Sequence, residues 1–251
     1  MPDTVVVGSV RSHLVSELII GRLRRWIRDR GSEPLITYYD LASGERTELS
    51  GVSFANWVDK TSNLLVDELM VEPADQVELS LAATHPGHWV TLVWELACWQ
   101  IGAVITLGQP SSAKVLATGP EPLPISGQNF QQVICSLHPL GLGLPKPPTG
   151  GALDYALEVR GQPDQHAAPP QSGLALAWRD HERQLTQAEL VDRPLPSARR
   201  RLIRPGDPWV TAEAALLDPL LSGGSSVIVV GPADDEALAR IAAQERADLA
   251  G

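Results

Sequence analysis

The segment His85–Pro110, HPGHWVTLVWELACWQIGAVITLGQP, decides the fold class. From His85 to Gly102 it reads as a helix that is apolar on nearly every side, so other elements must cover it. Ala103–Leu107 then reads as a buried strand, and Gly108-Gln109-Pro110 ends it as a turn. A covered helix feeding a covered strand belongs in a sheet with helices on its faces.

The same alternation extends in both directions. Upstream, Ser12–Arg30 reads as a helix with a stripe of Val15, Leu18, Ile19, Leu23, Trp26 and Ile27, and Gly31 is expected as its left-handed cap. Leu35–Tyr39 is a strand, Asp40–Gly44 a turn, and a helix follows from about Ser53, its N-cap. Val71–Asp75 is a loop and Val77–Leu81 a strand. Downstream come a strand near Val133–Leu137, a Gly/Pro-rich connection at Pro139–Gly151 and a helix near Ala152–Arg160. The last third reads as strand Leu174–Trp178, short helix Thr186–Val191, helix Ala212–Leu221, strand Ser226–Val230 and helix Asp234–Glu245.

Two stretches share this grammar. Leu35–Asp40, Trp57-Val58-Asp59, Pro73-Ala74-Asp75 and Gly102–Pro110 follow the same order as Leu174–Asp180, Leu190-Val191-Asp192, Pro205-Gly206-Asp207 and Gly224–Pro232. The expected fold is therefore α/β, with two related lobes of mainly parallel sheet flanked by helices. The lobes are expected at 9–135 and 152–251, joined by 136–151.

Composition narrows the function. The chain has 251 residues, 43% hydrophobic and 20% charged, as in ordinary globular proteins. Its 20 Lys+Arg against 30 Asp+Glu give a net charge of −10. That excludes nucleic acid and anionic membrane as main partners, although a small anion reads local charge instead. Cys98 and Cys135 fit no zinc or redox spacing and read as small buried hydrophobes. Val5–Val7 is too short for a secretory core and no basic residue precedes it, so the chain is expected in the cytoplasm.

Several segments resemble the N-terminal part of the adenylate-forming superfamily: acyl-CoA synthetases, peptide-synthetase adenylation domains and luciferases. Pro34-Leu35-Ile36, Gly44-Glu45 and the helix from Val52 to Leu69 resemble its opening strand, turn and helix. Val71–Val77 is similar to its "G-V-x-P-G-D-x-V" segment, and His88-Trp89 through Ile101–Val104 to the helix ending in "A-G-A-V". Leu185–Leu190 resembles the "T-H-x-N-L" helix start, and Asp218–Gly224 with Val227–Val230 resembles "L-P-L-L-x-G-G-x-V-V-L". The resemblance implies two similar α/β subdomains that bind ATP and a carboxylic acid, form an acyl-adenylate and pass the acyl group to a thiol.

The same resemblance implies a phosphate loop, "[ST]-S-G-[ST]-T-G-x-P-K-G", directly before the "T-H-x-N-L" helix. Small residues there let backbone amides approach phosphate, while hydroxyls and a cation meet its charge. Here Trp178–Gln184, WRDHERQ, holds no Gly, Ser, Thr or Lys, and Asp180 and Glu182 would repel a triphosphate. Losing one such donor costs about 10²–10³ in rate, and here the set is absent. The chain also reads as a truncated relative, without the later adenine-binding strand, ribose-binding Asp and mobile C-terminal lobe with its catalytic Lys. The nearest echo of the loop, Gly143-Leu144-Pro145-Lys146, lies about forty positions before Thr186 in a Pro-rich stretch that reads as surface loop. Gly143, Lys146 and Thr186 are the candidate cofactor-contacting residues.

Other constellations read as structural. His85 and His88 lack a third metal ligand and suit a helix cap or surface. Asp180-His181-Glu182 reads as a solvated turn. Arg22, Arg24, Arg25, Arg28 and Arg30 read as a solvated helix face matched to the dipole. Arg199–Arg201 with Arg204 reads as an exposed helix end and the best local anion site. Trp26, Trp57, Trp89, Trp94 and Trp99 are expected in the core. The leading expectation is a catalytically silent acyl-CoA synthetase-like (AMP-binding-like) protein, a binding or interaction module working as a homodimer or with a partner protein. No catalytic residue, metal or cofactor is expected. The alternative is an adenylate-, acyl- or CoA-binding protein, or a partial acyl-activating enzyme completed by a partner subunit.

Overall fold

The computed structural model describes residues 18–121, 130–167 and 169–249. Helix α1 covers Ile19–Arg30, and the expected start at Ser12–Glu17 lies outside the described residues, as does Val5–Val7. Gly31 is not its left-handed cap: it stays right-handed at φ −51°, ψ −30°. The reason for glycine is crowding, because a Cβ there would sit 2.6 Å from the Ile27 carbonyl oxygen.

Strand β1 (Pro34–Asp40) turns at Asp40–Gly44 into β2 (Glu45–Ser50), an antiparallel partner absent from the sequence reading. Its sequence, ERTELS, is polar because it forms a sheet edge. Helix α2 (Gly51–Asn63) runs on through a wider π-type turn at Leu64–Glu68. Its N-cap is Ser50, whose hydroxyl accepts from the Ser53 amide at 3.1 Å, so the helix begins earlier than Ser53 suggested. Strand β3 (Gln76–Leu79) is followed by the short α3 (Ser80–Thr84), which takes the last two residues assigned to the strand.

Helix α4 (Trp89–Ile101) is buried at every position, as its sequence required. The imidazole of His88 caps it by accepting from the Val90 amide, and Gly102 ends it in a left-handed conformation at φ 79°. His88 packs edge-on against Tyr38 of β1, while the Trp99 indole donates to the Ala177 carbonyl at 3.2 Å. Strands β4 (Val104–Thr106), β5 (Val115–Thr118), β6 (Gln131–Ile134) and β7 (Leu153–Asp154) lead to α5 (Tyr155–Arg160). Strands β8 (Leu176–Arg179), β9 (Gln184–Thr186) and β10 (Arg200–Ile203) follow. Helix α6 (Pro208–Ala212), a π-type turn at Glu213–Leu217 and α7 (Asp218–Ser222) form one rod before β11 (Ser225–Val230), α8 (Asp235–Glu245) and β12 (Asp248–Leu249).

Among the described residues these strands make a five-stranded sheet, β12-β10-β11-β1-β2, and a seven-stranded sheet, β7-β6-β5-β3-β4-β8-β9. All pairings are parallel except the hairpins β1–β2 and β8–β9. The internal repeat is visible in the order: β10-β11-β1-β2 in one sheet matches β3-β4-β8-β9 in the other. Each hairpin, however, sits on the parallel strands of the opposite copy. Strands from both stretches, 9–135 and 152–251, therefore stand in each sheet. Residues 136–151 join β6 to its neighbour β7 within a single sheet. One apolar cluster runs from Ile36 and Ile228 on the smaller sheet through Leu92 and Leu96 to Val77 and Ala177 on the larger. It includes Trp26, Trp89, Trp94 and Trp99, with half-buried Trp57 packed against Trp89.

Candidate functional site

Parallel α/β sheets place ligands beyond the carboxyl ends of their strands. In the larger sheet β3 is the central strand, with β4 and β8 following it toward the β9 edge. There the chain supplies its own anions. Strand β8 reverses into β9 through a tight turn closed by the Asp180 amide donating to the Arg183 carbonyl at 3.0 Å. Asp180 is not a solvated turn residue, for its side chain is only 5% exposed. Its Oδ1 accepts the Glu182 and Arg183 amides, both at 2.7 Å. Its Oδ2 accepts the Trp178 indole at 2.8 Å and the Arg183 guanidinium at 3.1 Å.

Desolvation pushes the Asp180 carboxyl upward, but the Trp178 indole, the two amides and Arg183 outweigh it, holding the pKa below the usual carboxylate range. Trp178 is fully buried against Trp209, ring centroids 5.2 Å apart, so the carboxylate rests on a rigid floor. His181, at the tip, projects into solvent.

A second acid does the same work nearby. Glu78, 2% exposed at the end of β3, accepts the Gly108 and Gln109 amides at 2.7 and 3.0 Å and the Thr106 hydroxyl at 3.0 Å. The sequence reading passed over it, though a carboxylate between Val77 and Leu79 in an apolar strand was the available signal.

The three candidate residues do not meet. Thr186 lies at the end of β9, where the expected helix Thr186–Val191 is reduced to one turn. Its amide and hydroxyl both donate to Glu189 Oε2 at 2.8 Å, a capping box that occupies the hydroxyl. Gly143 and Lys146 lie between β6 and β7, across the sheet from β9. Six inter-strand spacings separate these edges, roughly 30 Å. Gly143 lies against Asp154, whose Oδ2 accepts the Leu144 amide at 2.6 Å, and Lys146 is exposed.

Packing is tight just beyond the ends of β10 and β5. A Cβ on Gly87 would fall 2.3 Å from Pro205 Cγ, and one on Gly119 would touch the His85 ring at 3.1 Å. Burial and the neighbouring His85 drive the His88 pKa down to about 3, so this capping imidazole is neutral. Arg200 and Arg201 open strand β10, with Arg199 just before it, rather than decorating a helix end, and all three are paired: Arg199 with Asp248 at 2.9 Å, Arg200 with Glu245 at 2.8 Å and Arg201 with Asp218 at 3.5 Å. Cys98 and Cys135 are buried free thiols. Among the described residues no group of three or more His, Cys, Asp or Glu side chains could hold a metal, and no helix is long and apolar enough to cross a membrane.

This is the α/β architecture of the N-terminal subdomains of acyl-CoA synthetases. The chain matches an acyl-CoA synthetase of Brucella canis with a TM-score of 0.71 over 96% of its own length at 14% identity, covering 48% of that enzyme. It matches a fatty acyl CoA synthetase of Mycobacterium tuberculosis at 0.66 over 92%, with 14% identity and 48% of that chain covered. The N-terminal domain of FACL13 from the same organism matches at 0.64 over 92%, with 13% identity and 61% covered. The chain thus spans about half the length of the first two enzymes. No protein-family model matches it. In sequence it is 35% identical over 226 residues to a TIGR03089 family protein of Mycobacterium tuberculosis (strain ATCC 25618 / H37Rv), covering 85% of this chain and 89% of that protein, and it belongs to that family.

Proposed function

We propose that this chain is a catalytically silent, acyl-CoA synthetase-like protein of the cytoplasm, a binding or interaction module acting as a homodimer or with a partner protein. One observation carries the reading. At the turn between β8 and β9, where the resemblance implies a phosphate cradle, the Asp180 carboxylate already takes both free amides and the guanidinium of Arg183. A triphosphate entering there would have to displace a buried carboxylate from four donors and lie beside its charge. Glu182 adds a further negative side chain at the same turn. The engaged hydroxyl of Thr186 and the distance to Lys146 support the same reading.

Adenylation releases pyrophosphate, so its reverse is read as carboxylic acid-dependent exchange of labelled pyrophosphate into ATP. The isolated chain is expected to show none above the protein-free background across short, medium and long carboxylic acids. Exchange that needs the acid and disappears in Arg183→Ala would overturn the reading.

The alternative is an adenylate-, acyl- or CoA-binding protein or partial acyl-activating enzyme completed by another subunit, and the architecture shared with acyl-CoA synthetases is what supports it. It predicts a higher melting temperature with CoA or a non-hydrolysable acyl-adenylate analogue. Ligand at about 100 times its Kd would add about 2.7 kcal/mol. The silent module shows no such shift.

A further inference from the structure

Two arginine clusters far apart in sequence meet on the amino-terminal edge of the smaller sheet. A cavity of about 160 Å³ is walled by Arg22 and Arg25 of α1 and by the end of α7. Beside it, a cavity of about 440 Å³ is walled by Arg199, Arg200, Ser225 and Arg246. Trp26 and Arg30 stand in both walls, so the two form adjoining halves of one groove. The Trp26 indole donates to the Gly224 carbonyl at 2.9 Å, which fixes this shared partition.

The wall's acids are already matched. Asp29 lies 3.7 Å from Arg28, Glu33 lies 3.5 Å from Arg30, and Glu48 lies 2.6 Å from Arg46. Glu245 is shared by Arg46 and Arg200 at 3.0 and 2.8 Å. Among the described residues, Arg25 and Arg246 have no carboxylate within 4.0 Å. Both are exposed, one in each half of the groove. An acidic chain thus concentrates uncompensated guanidinium groups around a small-molecule-sized concavity.

We propose that this groove binds an elongated polyphosphate-bearing small molecule, with one phosphate on Arg25 and another on Arg246. The planar guanidinium fork suits phosphate oxygens in pairs. The competing account is that the arginines only balance the negative ends of α1, α7 and α8, all of which finish here. The inference does not rest on the silence of the β8–β9 turn.

Isothermal titration of the full chain with inorganic tripolyphosphate separates the two accounts. The groove predicts saturable one-to-one binding that weakens as salt rises from 50 to about 150 mM. Arg25→Gln and Arg246→Gln should each weaken it about tenfold or more. Lys146→Gln, on the other sheet, and Asp180→Asn, in the β8–β9 turn, should leave it unchanged. Arg25→Lys and Arg246→Lys retain part of the affinity and check that the groove still folds. Absent binding, or equal loss in Lys146→Gln and the arginine variants, would overturn the proposal and leave the arginines to the helix ends.

Discussion

Asp180→Ala is expected to lose about 2–4 kcal/mol of stability, read as a lower urea midpoint at unchanged slope. The substitution strips acceptors from two backbone amides, a buried indole N–H and a guanidinium together. Water can reach Arg183, but the Trp178 indole is enclosed and keeps the full cost of its lost partner. Asp180→Asn should recover about half, because its oxygen still accepts the two amides while its NH₂ now faces the other donors. The pH dependence has a fixed sign. The folded carboxyl titrates below its unfolded value of about 3.9, so its contribution is complete above that pH and lost as pH falls through the folded pKa. The gap between parent and variant should therefore narrow in acid. Equal stability of the two at pH 7 would mean that the carboxylate does not organise the turn.

Glu95→Met should act in the opposite direction, stabilising the chain by at least about 2 kcal/mol at pH 7. Glu95 is fully enclosed in α4, and neither carboxyl oxygen has a hydrogen-bond partner among the described residues. Burial pushes its pKa well above the ordinary carboxylate value. Folding must therefore hold a proton that the unfolded chain releases near pH 4.3. Stability consequently falls by about 1.4 kcal/mol for each pH unit above 4.3, until the folded carboxyl itself ionises. Methionine matches the side chain's length without its polar atoms, so the slope disappears with the carboxyl. The gain should be larger at pH 8 than at pH 5 in paired urea titrations. No gain at either pH would show that the carboxyl has partners after all.

Local pattern was enough where burial sets an element, but not for the caps at Gly31 and Ser53. The all-round apolar character of α4 reports its place in the core between two sheets. The repeat was legible because both copies carry strand, helix and strand in one order. Its spatial meaning was not legible, since hairpin exchange between sheets depends on long-range pairing that leaves no local mark. Strand β2 escaped notice because an edge strand carries charge rather than apolar alternation. Arg200–Ile203 and Gly31 were misjudged for related reasons: two arginines at its start hid a parallel strand, and tertiary crowding rather than a left-handed turn requires the glycine. At the site, the missing small residues of Trp178–Gln184 could be read directly. That Asp180 folds inward and takes the amides for itself required coordinates, because the same letters also describe a solvated turn.

Amide hydrogen exchange at Glu182 and Arg183, followed by NMR with and without magnesium ATP, probes this self-occupied turn where it matters. Both amides should already be slow to exchange in the free protein, speed up in Asp180→Ala and stay unaffected by nucleotide. Rapid exchange in the free chain that ATP suppresses would mean the turn is an open phosphate cradle.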